Sequence, residues 1–154
     1  MVELLNVRII YGIMEKKLLL VIDGQGGGIG RQLTQSIKEN FPDITIRAIG
    51  TNTIATQAMI KAGADEAATG ENAVIVGCRE ADIIIGPLGI VIADSLFGEI
   101  TPSMAIAIGQ SKAVRILIPM NQCDNQVVGV DNFSLSYLVR DCINLIRKQI
   151  NSTD

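Results

Sequence analysis

Residues 18–30 constrain the fold of this chain more than any other stretch. An apolar run of strand length, Leu18–Asp23, meets Gly24 and then Gly26, Gly27, Gly28 and Gly30. Beyond it, residues 31–40 read as a helix that buries Ile29, Leu33 and Ile37 on one face. A strand that turns on glycines into a helix leaves bare N–H groups and the positive end of the helix dipole facing a ligand. Glycine suits such a turn because a Cβ blocks close backbone approach and disfavours positive φ. The pattern says where a ligand sits and names no reaction.

The rest of the chain continues the alternation. Residues 44–49 read as a second strand, after Phe41, Pro42 and Asp43 end the first helix. A helix over 53–62 closes at Gly63, and 65–68 form a short third strand. Another helix opens at Thr69, Gly70 and Glu71 and runs to Arg79, and 82–85 form a fourth strand. Residues 90–98 fit helix and strand equally well. Thr101 and Pro102 start the next helix, as cap and first-turn proline. Residues 114–120 and 127–130 read as strands five and six, and Ser134 caps a last helix striped with Leu135, Leu138, Val139, Cys142, Leu145 and Ile146. Apolar residues make up 48% of the chain and aromatics only 3%, so the core is aliphatic. Continuous aliphatic strands suit a parallel sheet buried on both faces. The expectation is therefore an α/β chain of three layers around a mostly parallel sheet of five to six strands. The high apolar content also points to a covered subunit interface, and hence a homo-oligomer.

Several classes are set aside. The net charge is −3 and basic residues are not interleaved with aromatics, which argues against nucleic acid. The apolar stretch 83–97 is interrupted by Gly86, Pro87, Gly89 and Asp94 and is too short to span a membrane. Histidine is absent, and Cys78, Cys123 and Cys142 form no CxxC pair, so no metal site is expected. Reduced thiols and the lack of a secretion signal suggest the cytoplasm. Met14 sits just before the first strand and reads as a natural start; residues 1–13 are then an N-terminal extension, and 14–154 a single domain.

Three loop templates compete. In G-x-G-x-x-G, Gly24 and Gly26 fit but Ile29 does not. In G-x-x-x-G-x-G, Gly24, Gly28 and Gly30 all fit, and the turn resembles that of short-chain dehydrogenases/reductases. The Tyr-x-x-x-Lys pair of that family is missing: Glu15 follows Tyr11, and Asp141 follows Tyr137. In a P-loop, Arg31 and Gln32 would stand where lysine and Ser/Thr are needed, which removes both electrostatic functions. The phosphate-facing segment is thus Asp23, Gly24, Gln25, Gly26, Gly27, Gly28, Ile29, Gly30 and Arg31. Asp23 repels a phosphate unless it turns to ribose hydroxyls, a metal or its own loop's N–H groups, and the last role is the expected one. Thr51 and Asn52 follow strand two where an NAD site often has an acid. With Arg31 nearby, the pattern leans to NADP within a general preference for NAD(P). The same residues also read as an ordinary loop capping the next helix. Gly86, Pro87, Leu88 and Gly89 follow strand four, and Asn121, Gln122 and Cys123 follow strand five, as possible pocket walls. Asp94, Ser95, Glu99 and Thr101 add polar candidates there.

Taken together, residues 21–30, 50–52, 62–65, 68–72, 86–90 and 98–102 resemble a family of small uncharacterised bacterial proteins, the domain of unknown function DUF3842. The resemblance implies a Rossmann-like cytoplasmic protein and carries no activity. The leading expectation is a protein or small enzyme holding a nucleotide, NAD(P) favoured, over the glycine loop. One alternative is a non-enzymatic sensor that binds a phosphorylated metabolite and acts through a homo-oligomer. The other is a phosphate-assisted lyase or isomerase with Asp23, Asp94 or Glu99 as base.

Overall fold

The computed structural model describes residues 16–120 and 125–152. In chain order the elements are β1 (Leu18–Asp23), α1 (Gly28–Asn40), β2 (Thr45–Gly50), α2 (Thr53–Lys61), β3 (Glu66–Thr69), α3 (Glu71–Glu80) and β4 (Ile83–Pro87). A 3-10 turn (Leu88–Val91), α4 (Pro102–Gln110), β5 (Val114–Ile118) and α5 (Leu135–Asn151) follow. All the strands are parallel, in the order β3-β2-β1-β4-β5.

Alternate side chains of the strands feed two separate cores, as the two-residue period of a strand requires. Leu19 and Val21 of β1, Ile46 and Ala48 of β2, and Ile83 and Ile85 of β4 meet Leu33 and Ile37 of α1, Met59 of α2 and Ile143 of α5. Their neighbours Leu20, Ile22, Ile49 and Ile84 meet Val74 of α3 and Met104 and Ile108 of α4. The result is an α/β three-layer, Rossmann-like fold. Each of these Leu, Ile, Val and Met side chains, removed from water, contributes about 1.5–3 kcal/mol, which is why a core almost without aromatics suffices.

Two caps follow their sequence signals. Thr101 Oγ1 accepts the Met104 N–H at 3.2 Å, and Ser134 accepts that of Tyr137. Two expectations are corrected. Residues 127–130 are turn and coil rather than a sixth strand: Val128 is fully exposed, and among the described residues no strand pairs with these valines. The ambiguous stretch 90–98 is neither helix nor strand along its length, but the end of the 3-10 turn followed by tight turns. The proposed extension over residues 1–13, with its start at Met14, lies outside the described residues. Among the described residues no helix is long and apolar enough to cross a membrane.

Candidate functional site

β1 and β4 are neighbours, yet the chain leaves β1 into one helical layer and β4 into the other. The crevice between their carboxyl ends is where open α/β sheets bind ligands. Gly86 lines its floor; a Cβ there would collide with the Ile22 carbonyl of β1.

The glycine loop fills the β1 side. Asp23 is buried, and both its oxygens point inward: Oδ1 accepts the Gly24 N–H at 2.8 Å and Oδ2 that of Gly30 at 2.7 Å. Burial raises its carboxyl above the usual 3.8, against the pull of those two N–H bonds, and the charge of Glu99 raises it further. Asp23 thus braces the loop and caps α1 from outside the helix, the role expected of it. The N–H groups of Gly26, Gly28 and Ile29 make no hydrogen bond among the described residues.

The glycines divide into two kinds. Gly27 has φ +72° and faces the Ala55 backbone, 2.7 Å from where a Cβ would stand; a Cβ at Gly30 would lie 2.6 Å from Met59 Sδ and 2.8 Å from Asp23 Cβ. Internal packing accounts for both. Gly26 and Gly28 differ: nothing lies within 4 Å of a Cβ at either position, and neither has positive φ. The positions that packing leaves open are thus also the ones whose N–H groups are unpartnered among the described residues.

Glu99, which the sequence offers as a pocket candidate and as one of three candidate bases, lies against the glycine loop. Its Oε2 accepts the Gln25 N–H at 2.7 Å, and its Oε1 accepts Asn52 Nδ2 at 2.6 Å. Asn52 also donates to the Gln25 carbonyl at 2.9 Å and caps α2 by accepting the Ala55 N–H at 2.9 Å. Gln25 itself holds φ +49°, a left-handed backbone that these contacts enforce. The end of β2 therefore does have an acid beside it, supplied by the segment after β4. Thr51 Oγ1 is buried beneath Gly24 and makes no hydrogen bond among the described residues.

Other expected residues lie elsewhere. Arg31 is exposed and lines a hollow with Gln35, Lys61 and Ala62, on the flank between α1 and α2. Pro87 and Gly89 are buried, and the Gly89 carbonyl accepts the Ser95 hydroxyl. Leu88 faces a cavity of about 380 Å³ beyond β4 and β5, shared with Pro119, Met120, Phe133 and Leu138. A larger hollow of about 620 Å³ lies away from the glycine loop, between α3 and α4, where Ile75, Ile106 and Ala107 meet Arg79 and Lys112. Ser103, Gln110 and Ser111 also line it, but it lies outside the crevice at the carboxyl ends of β1 and β4, where sheets of this kind bind their ligands. Cys78 and Cys142 are buried thiols pushed up to about 11, too high for nucleophilic work. Asn121, Gln122 and Cys123 lie outside the described residues.

The family described as Domain of unknown function (DUF3842) matches residues 18–151. No curated protein matches the chain. The fold is similar to that of a dodecameric FMN-dependent Ubix-like decarboxylase from Escherichia coli O157:H7, at 18% identity over 86% of this chain and 75% of that one, with a TM-score of 0.41.

Proposed function

The chain belongs to the DUF3842 family, which brings no activity with it, and we propose that it binds a nucleotide across the glycine loop, its phosphate over Gly26, Gly28 and Ile29 and its ribose against Glu99. The open face of the loop carries this reading. Gly26 and Gly28 answer to no internal contact, whereas a phosphate approaching the first turn of α1 needs their missing Cβ atoms and the free N–H groups beside them. Glu99 is only partly buried, unlike Asp23, and each of its oxygens keeps a lone pair beyond the one taken by Gln25 or Asn52, so it can accept from ribose hydroxyls.

The same carboxylate alters the cofactor expectation. Sequence order alone favours NADP, because no acid follows β2 and Arg31 lies in the first turn of α1. In space Glu99 stands 2.6 Å from Asn52, while Arg31 sits on the flank with Lys61. A 2′-phosphate there meets a carboxylate, so among dinucleotides NAD is favoured over NADP. Asp23 has both oxygens engaged inside the loop, which leaves the lyase or isomerase reading without that base.

Calorimetric titration with AMP, ATP, NAD and NADP tests this. Micromolar to millimolar binding of AMP or NAD, weaker binding of NADP, and loss of both in Gly28→Val are the expected results. Valine at 28 projects into open space, so the variant keeps its thermal unfolding and loses only the ligand. A folded Gly28→Val protein with unchanged affinity removes the site from this loop.

A further inference from the structure

Residues 94–99, between the 3-10 turn and α4, form two interlocked turns. The Asp94 N–H bonds to the Ile100 carbonyl at 2.7 Å, and the Gly98 N–H reaches the Asp94 and Ser95 carbonyls at 3.1 and 3.2 Å. Asp94, Leu96 and Phe97 hold φ of +64°, +55° and +55°. Aspartate tolerates that backbone, but leucine and phenylalanine rarely adopt it, and such strain gathers at ligand clamps and active sites.

The side chains alternate in what they face. Leu96 is buried under the glycine loop, its Cδ1 3.0 Å from where a Gly24 Cβ would stand. Glu99 reaches back to the Gln25 N–H and Asn52. Phe97, between two residues anchored on the loop, is 98% exposed. The other phenylalanines have ring partners: Phe41 lies under Arg147, and Phe133 stacks on Tyr137. A bare phenyl ring on a braced turn, whose neighbours Leu96 and Glu99 both touch the glycine loop, runs against burial energetics.

We propose that Phe97 is the platform on which the ligand's base stacks, so that residues 94–99 form the second wall of the site and its ligand is a nucleoside phosphate rather than a sugar phosphate. This rests on the nucleotide reading above and adds to it the recognition of a planar heterocycle. Stacking on a phenyl ring is tolerant of base identity, so AMP and GMP bind within a few-fold of each other.

The test titrates the full chain with AMP, GMP and ribose 5-phosphate. The wild type binds AMP more tightly than ribose 5-phosphate. Phe97→Ala weakens AMP binding about ten- to a hundredfold and barely changes ribose 5-phosphate, while Phe97→Tyr restores AMP. With 98% exposure the side chain holds nothing in the fold, so the unfolding temperature of each variant stays that of the wild type. Unchanged AMP affinity in Phe97→Ala overturns the platform and leaves the nucleotide site standing. So does equal wild-type affinity for AMP and ribose 5-phosphate. A drop in oligomer mass in Phe97→Ala with AMP affinity intact assigns the ring to a second copy of the chain, and also overturns it. A wild type that binds none of the three overturns this inference and the nucleotide reading together.

Discussion

At the scale of single residues, Asp23 carries an unusual electrostatic load. Its carboxylate is buried beside a second acid, Glu99, with two backbone N–H groups and, among the described residues, no cation bonded to it. Because burial raises its folded value above 3.8, the native chain keeps this proton at a pH where the unfolded chain has lost it. The corresponding stability is fully present below that value and fades as the pH rises through the folded one. Asp23→Asn removes the titration and exchanges one acceptor for a donor facing a loop N–H, a change that is independent of pH. The stability difference, wild type minus variant, should therefore shrink as the pH rises from about 4 toward neutrality. Urea denaturation of both proteins in steps across that range measures it. A difference that is flat, or that grows with pH, would show that the carboxyl is not raised in the folded chain.

At the scale of elements, the sequence signals were good where they were local and poor where they needed a partner. β1, β2, β4 and β5 are legible as aliphatic runs, and Thr101 and Ser134 as caps, because propensity and capping act within a few residues; β3, Glu-Ala-Ala-Thr, shows itself only as a short gap between two helices. Val127, Val128 and Val130 misled for the same reason. Strand composition means little without a neighbouring strand, and the sheet ends at β5. In the sequence Asn52 fits both the cap of a following helix and a ligand contact. The structure shows the cap, plus a clasp that ties α2 to the glycine loop and to Glu99. Asn52→Ala removes all three bonds, and a cap together with a charged partner is worth about 1–2 kcal/mol. A urea midpoint shifted by less than the equivalent of about 0.5 kcal/mol would mean that water replaces the clasp without loss.

At the scale of the whole molecule, the site is a meeting of distant segments, which limited how far the sequence could be read. Nothing in the string separates Gly27 and Gly30, required by packing, from Gly26 and Gly28, which face open space. Gln25 and Glu99 are 74 positions apart, and only the order β3-β2-β1-β4-β5 brings the segment after β4 over the loop after β1. The same order sets a gradient of rigidity. β1 is hydrogen-bonded on both sides and buried along nearly its whole length, whereas β3 is a four-residue edge with mostly exposed side chains. Amide hydrogen exchange should then be slowest in β1 and the facing parts of β2 and β4, and fastest among the strands in β3. A bound nucleotide adds to this in a specific way. At a hundredfold excess over its Kd it stabilises the chain by about 2.7 kcal/mol. The added protection should fall on residues 24–30 and 94–99, at the carboxyl ends of the strands, and spare the opposite edge, where α1 ends at Asn40 and α3 at Glu80. Exchange measured with and without AMP reads both patterns. Protection that rises evenly over all helices would mean that the ligand acts only through global stability. Protection centred on Ile75 and Ile106 would move the site to the hollow between α3 and α4.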